Sequence, residues 1–416
     1  MLFHNVAGAG SLNLRVLGLG TYPIVKPIHG GQRRVAAFKR FYESQGATYT
    51  YACIYNKQHY LPPVLGLHDW PLVVPPAKAT LVNLIGDLIA GRQFETDEST
   101  LKHFAEVIER IKPDALQLEQ PFMWPLAKRL RQIFGAEKLR LIYSSQNVER
   151  PLKDEILASF SVPRDLRQTI GAEIEETEGE LCQEAELILC VTASDREHYS
   201  QSKDPSQVIV VPNGVDRPPP GSSHWDFEKG QRAFSGRRFV MTVGSAHPPN
   251  ADGLRHYLFE GGIFCVPPVQ SIAICGGVSN LTFSSPQYQR YVTANSARVQ
   301  FFADINDDDL WALKHACHGV ILPLRSGGGS NLKTPEALAL GKWTIATSIA
   351  LRGFEAFSTA EGVIVADDPT SFRRSVREVL ELPPVEITAA SREARDALYW
   401  DRCFADSDLA KHLEIA

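Results

Sequence analysis

"GVILPLRSGGGSNLKTPEALALGKWTIATS", Gly319 to Ser348, holds the pattern from which the fold can be read. An apolar run (319–324) leads into three consecutive glycines; a helical pattern follows, and then a second apolar run (343–348). Two short apolar runs joined through a helix make a crossover unit, which sets the strands parallel and buries both faces of the sheet. The glycines then fall in the loop beyond the carboxyl end of a parallel strand. Gly327, Gly328 and Gly329 permit positive φ, and with Ser330 they can present successive N–H groups to an anion. Lys333 adds a cation, and the helix start adds the positive end of a dipole. Pro335 allows two helix starts. Either Thr334 caps and Pro335 takes the first helical position, or Ser330 caps and Pro335, near the fifth residue, distorts the helix. In both, Glu336 lies close to the loop, where a carboxylate repels phosphate but can accept hydrogen bonds from a ribose diol. The combination reads as a nucleoside-diphosphate site; a glycine loop of purely structural use is the competing reading.

The same alternation extends in both directions. Before the unit come RFVMTVGS (238–245), SIAICGG (271–277) and RVQFFADI (298–305), and after it GVIVAD (362–367). The first half repeats the style with LRVLGLG (14–20), TYTYACIY (48–55), ALQLEQ (115–120), LRLIYSSQ (139–146) and AELILCVTAS (185–194). Helical stretches near 31–45, 98–112, 123–135 and 165–184 separate them. VPNGVDRPPPGSSHWD, from Val211, continues neither strand nor helix and marks a connector. The expected fold is α/β: two doubly wound, Rossmann-like parallel-sheet domains facing across a cleft, 1–210 and 211–396. Ligands of such sheets bind beyond the carboxyl ends of the strands, so the loops that follow strands carry the candidate residues.

Composition narrows the class. The 416 residues are 44% hydrophobic and 22% charged, as in a soluble globular protein, and the net charge of −5 gives no argument for nucleic acid. Residues 1–153 carry 19 Lys and Arg against 12 Asp and Glu, whereas the remainder carries 24 against 36. A basic first half suits an anionic substrate or contact with an anionic membrane surface. Seven scattered cysteines without Cys-x-x-Cys spacing argue against a disulfide framework or zinc site and for a reducing compartment. The opening MLFHNVAGAGSLNL has neither the basic start nor the apolar core of a signal peptide, and no apolar run reaches membrane-spanning length. A cytoplasmic protein, at most peripheral at a membrane, is expected.

Other strand ends supply further candidates. Gly30 and Gly31 precede a helix expected from Gln32 or Arg33, a place where amides can approach an anion; a simple turn is the alternative. That helix sets Val35, Phe38 and Tyr42 on one face and Arg33 and Arg40 opposite, most simply a core helix with a solvated basic face. Glu119 and Gln120 end one strand and are expected to point into the cleft, where Glu119 could orient or deprotonate a sugar hydroxyl. Ser145, Gln146, Asn147 and Glu149 end another and suit hydroxyl recognition, or serve as caps and turns. Gly244, Ser245, His247 and Asn250 follow the first strand of the second half. GLGTYP (18–23) and GAGSLN (8–13) lack the third glycine of a dinucleotide fingerprint, and Leu332 before Lys333 breaks a Walker loop. Asp307 is most simply an N-cap and Asp309 an acid in the first helical turn, so no metal site is expected.

With these residues in hand, the chain resembles the family 4 glycosyltransferases of the GT-B fold. IHGGQRR, SSQNVER, VVPNGVD, VGSAHPPNADG and above all PLRSGGGSNLKTPEALALGKWTIAT carry the resemblance, in the family's order over nearly the whole chain. It implies a retaining, metal-independent transferase that needs no cofactor and takes a sugar from a nucleotide-diphosphate sugar. The acceptor would be a hydroxyl of a glycan or lipid-linked intermediate in polysaccharide or cell-envelope synthesis. The resemblance assigns the donor to Gly30, Gly31, Gly244, Ser245, Asn250, Arg325, Gly327–Ser330, Lys333 and Glu336. From their strand-end positions, Glu119, Gln120, Gln146 and Asn147 are the acceptor candidates. Lys333 and Glu119 would carry the chemistry, and the final helix, 397–416, would complete the first domain. Gly328 stands where the family's first glutamate often stands, SAHPPN replaces an Arg and a Lys after the first strand of the second domain, and Gln120 and Gln146 replace histidines. Those departures leave a second reading: a non-catalytic GT-B protein that binds nucleotide sugar or glycan as a partner subunit.

Overall fold

A computed structural model describes residues 14–74, 81–218, 224–326 and 330–414. The chain divides into two compact units, Met1–Pro212 together with Phe404–Ala416, and Asn213–Cys403. The connector stretch is therefore shared between the units, and the chain re-enters the first unit at Phe404 rather than at 397. Residues 219–223, the proline and Gly-Ser part of that stretch, lie outside the described residues.

The first unit is built on seven parallel strands: β1 (Arg15–Gly20), β2 (Thr48–Tyr55), β3 (Trp70–Pro71), β4 (Ala115–Leu118), β5 (Arg140–Ser144), β6 (Leu187–Cys190) and β7 (Val208–Val210). Their order across the sheet is β3-β2-β1-β4-β5-β6-β7. The second unit holds six: β8 (Phe239–Val243), β9 (Ser271–Cys275), β10 (Val299–Phe302), β11 (Gly319–Leu322), β12 (Trp343–Ala346) and β13 (Val363–Val365), ordered β10-β9-β8-β11-β12-β13. All pairs are parallel. Every strand read from an apolar run is present, and all but β1 and β2 are trimmed at the carboxyl end where the polar loop begins. The two not foreseen are β3, which is two residues long and contains Pro71, and β7, which runs directly into the connector.

Each sheet reverses its winding once, between β1 and β4 and between β8 and β11. At such a reversal the helices leave to opposite faces and open a crevice beyond the strand ends. Expected site residues lie at both places, within 21–31 and 119–120 in the first unit and within 244–250, 323–326 and 330–336 in the second, while Gln146 and Asn147 follow β5.

Strand β1 explains why a sheet core tolerates two glycines. A Cβ at Gly18 would stand 2.1 Å from the Tyr49 hydroxyl, and one at Gly20 2.2 Å from the Tyr51 hydroxyl. Both tyrosines belong to β2 and lean along the strand direction across the gap that the glycines leave. The helix Gly30–Ser44 covers this face with Val35, Phe38 and Tyr42, as its periodicity foretold. Phe404, from the returning carboxyl-terminal segment, stacks on Phe41 at 4.6 Å between ring centroids.

Candidate functional site

In the second unit, two backbones approach closely enough to exclude side chains. A Cβ at Gly253 would stand 1.8 Å from the Pro323 carbonyl oxygen, so the helix Pro248–Leu254 lies directly against the end of β11. That approach brings Asn250 and Lys333 together: the Lys333 ammonium donates to Asn250 Oδ1. Asn250 is itself fixed through Nδ2 to the Ser245 carbonyl at 3.1 Å. Gly244, Leu254 and Leu324 line the same pocket. Burial lowers the Lys333 pKa to about 8, with Glu336 pulling the other way. An ammonium withdrawn from water and bonded to a neutral amide is poised to gain from an arriving anion.

The helix Lys333–Ala339 starts in neither of the two ways expected. Lys333 is its first residue and Pro335 its third, where the missing N–H would have had no partner within the helix. Asn331 does the capping: its Oδ1 accepts from the Thr334 N–H at 3.2 Å. Thr334 is buried, and its hydroxyl donates to the Ala350 carbonyl, which ties the helix to the loop beyond β12. Ser330 is held by Asn213, whose Nδ2 donates to the Ser330 carbonyl at 3.0 Å and to its hydroxyl at 3.2 Å. Gly327, Gly328 and Gly329, the expected anion nest, lie outside the described residues.

Two charged residues here have partners that the sequence did not announce. Arg325 Nη1 is 2.8 Å from Asp252 Oδ2 at the surface. Glu336 lies near Lys333, as its position three residues on requires, yet its Oε2 is 2.9 Å from Lys314 Nζ. Lys314 belongs to the preceding helix, Asp307–Ala316, and no sequence signal distinguished it. Asn306, one residue before the Asp cluster, caps that helix by accepting from the Asp309 N–H. The acids are thus first-turn residues, although the cap is Asn306 and not Asp307.

In the first unit, Gly30 and Gly31 open the helix itself, capped by His29 and Gln32 in a reciprocal pair. A Cβ at Gly31 would stand 2.5 Å from the Tyr22 hydroxyl and 2.6 Å from Gln146 Oε1. Gln146 Nε2 donates to that tyrosine at 2.6 Å and to the Glu119 carbonyl at 3.2 Å. Gln120 Oε1 accepts from the Thr21 N–H at 3.2 Å. Gln120 and Gln146 therefore hold the loop beyond β1 in place. His29, with its pKa lowered to about 4 by burial and by Arg33, is neutral at physiological pH. Asn147 takes part through its backbone carbonyl, which accepts from the Ser145 hydroxyl at 2.9 Å and the Tyr199 hydroxyl at 3.2 Å.

Glu119 departs most from expectation. It is fully buried rather than open at the strand end. Gln117 and Glu119, two apart along the strand direction, share the face that the helix Gly30–Ser44 covers. Glu119 Oε1 accepts from the Tyr49 hydroxyl and from Gln117 Nε2, each at 2.7 Å, and Gln117 Oε1 accepts from Tyr42 at 2.6 Å. Burial raises the Glu119 pKa, and the hydrogen bonds from Tyr49 and Gln117 oppose the rise. In this position the carboxylate organises the sheet face. Buried Arg34, on the same helix, donates to the Val211 carbonyl at 2.9 Å and so fixes the end of the first unit.

A second buried group was also hidden from the sequence. Glu178 accepts from Tyr143 at 2.6 Å, from Tyr199 at 2.8 Å and from the Glu149 N–H at 3.2 Å. Glu149, buried beside it, has its pKa raised to about 8 by burial first and by Glu178 second. Among the described residues, no group of three or more His, Cys, Asp or Glu is placed to hold a metal ion. Among them, too, no helix is long and apolar enough to cross a membrane.

No protein-family model and no curated protein matches the sequence. Solved structures do match, over nearly the whole chain. Sucrose-phosphate synthase of Thermosynechococcus elongatus superposes with a TM-score of 0.64 at 13% identity, covering 94% of this chain and 96% of its own. HepE of Anabaena, solved with UDP, gives 0.61 at 12% identity, covering 97% and 100%, and has also been solved with UDP-glucose. The UDP-forming α,α-trehalose-phosphate synthase of Burkholderia vietnamiensis gives 0.61 at 12% identity, covering 95% and 94%. The paired parallel-sheet architecture is thus the fold of these glycosyltransferases.

Proposed function

We propose that the chain is a retaining glycosyltransferase that moves a sugar from a nucleotide-diphosphate sugar to a hydroxyl of a glycan or lipid-linked acceptor. The observation that carries this reading is the Lys333 ammonium, held at the winding reversal of the second sheet by a neutral partner, Asn250, rather than by a carboxylate. Glu336 stands one turn on, where a ribose would lie if the diphosphate meets Lys333. HepE, similar in fold, has been solved with UDP and with UDP-glucose, which makes uridine nucleotides the first donors to test.

The bond from the anomeric carbon to the diphosphate oxygen breaks, and the bond to the acceptor oxygen forms on the same face. A diphosphate oxygen takes the proton of the incoming hydroxyl, so the protein need not supply a strong base. This suits a chain in which Glu119 is sealed into the first unit's core. Lys333 stabilises the charge that gathers on the leaving diphosphate. Metal independence belongs to the proposal, and turnover that survives chelation checks it.

A screen of radiolabelled nucleotide-sugar donors, with hydrolysis and transfer both followed, tests the activity. The anomeric configuration of the product tests retention, since an inverted product excludes the front-face route. The buried Glu119 and the pairing of Arg325 with Asp252 favour one second reading, a nucleotide-sugar-binding partner subunit without turnover. Donor binding without hydrolysis or transfer on any acceptor would select it.

A further inference from the structure

Lys333 and Glu336 are three residues apart on one helix, close enough for an ion pair that would cancel the cation. The structure gives each a different partner. Lys333 is bonded to Asn250, while Glu336 Oε2 is 2.9 Å from Lys314 Nζ. The Lys314 and Glu336 side chains are only 13% and 22% exposed, so their pair is shielded from the water and salt that weaken surface pairs. Met241, Val243 and Leu322 line the same pocket as the two lysines and Glu336, giving the carboxylate mostly apolar surroundings. Thr334, bonded to the Ala350 carbonyl, prevents the helix from turning to relieve the competition.

We propose that Lys314 is a positioning residue that holds Glu336 off Lys333, keeping Lys333 for a diphosphate and Glu336 for a ribose diol. The proposal rests on the donor-site reading above. Without Lys314, a poorly hydrated carboxylate has Lys333 within electrostatic reach, and both recognition groups are consumed by each other.

Calorimetric titration of the full chain with inorganic pyrophosphate, UDP and 2′-deoxy-UDP tests this in four proteins: wild type, Lys314→Arg, Lys314→Met, and Lys314→Met with Glu336→Gln. Lys314→Met is expected to weaken pyrophosphate binding about tenfold or more and to erase the preference for UDP over 2′-deoxy-UDP. Lys314→Arg is expected to keep both within about threefold of wild type. The double variant is expected to recover pyrophosphate binding but not the preference, because it removes the competing carboxylate along with its function. A merely structural role for Lys314 gives no such recovery, so its absence overturns the proposal. Unchanged pyrophosphate binding in Lys314→Met overturns it as well. Should Lys314→Met fail to fold, Lys314→Gln, alone and with Glu336→Gln, takes its place in the same comparison. A wild-type chain that binds neither pyrophosphate nor UDP would refute the donor-site reading itself. A wild-type chain that binds both, with Lys314→Met its equal, would refute only the role of Lys314.

Discussion

The Lys333 ammonium donates to Asn250 Oδ1, which joins the helix beyond β11 to the helix beyond β8. Asn250 is neutral, so this bond holds the lysine without neutralising it. An anion entering the pocket can replace that bond with a stronger one, and the pH response of binding follows from this.

Burial lowers the Lys333 pKa from 10.5 to about 8, and a bound diphosphate would raise it again. Diphosphate binding near pH 8 should therefore take up protons, and affinity should fall as pH rises above 8. Titrations in buffers of different ionisation enthalpy measure the uptake directly; Lys333→Arg, always charged, should show none from this site. For folding the sign is opposite. The unfolded chain binds the extra proton between about 8 and 10.5, so the contribution of Lys333 to stability grows across that window.

Glu119 gives a sharp contrast between two roles. As a general base its loss would cost about 10²–10⁴-fold in turnover. Fixed between Tyr49 and Gln117, it is expected instead to matter for stability. Glu119→Gln should keep turnover within about tenfold of wild type, an order of magnitude below the base range. Tyr49→Phe should lower unfolding free energy by about 1–3 kcal/mol, as the carboxylate loses a donor in a buried site. Gly18→Ala should also destabilise, since its Cβ would meet the Tyr49 hydroxyl at 2.1 Å, and Tyr49→Phe should be less harmful in that background. Denaturant titrations of the three variants and the double variant check the set.

Glu149 is expected to tilt the stability curve of the protein. Its pKa is raised to about 8 in the fold from 4.5, so the folded chain holds the extra proton between those values. The favourable contribution is complete below about 4.5 and is lost as pH rises toward 8. Glu149→Gln should flatten the fall in stability across that range, most visibly above pH 7. Chemical denaturation at a series of pH values measures it, and parallel curves for the two proteins would contradict the assignment.

Much of the fold was legible because parallel strands buried on both faces read as unbroken apolar runs. The loops at the two winding reversals were legible too, since glycines and polar residues interrupt those runs abruptly. What escaped reading was chiefly long-range. Val208–Val210 was not read as a strand because three apolar residues directly before the connector are too short a run to stand out. Glu119 ended a strand as expected, but which face it took depended on Tyr42 and Tyr49, seventy or more residues away. Lys314 sits in an ordinary helix, and only the fold brings it to Glu336. Pro335 was ambiguous for a nearer reason: the capping group was Asn331, and a proline at the third helical position costs no hydrogen bond.

The central claim is that Lys333 receives the donor diphosphate, and a calorimetric titration of UDP into wild type and Lys333→Ala tests it most directly. The account requires saturable binding to the wild type and a loss of about tenfold or more in the variant, with unchanged far-UV circular dichroism. Equal affinity of UDP for the two proteins would contradict it.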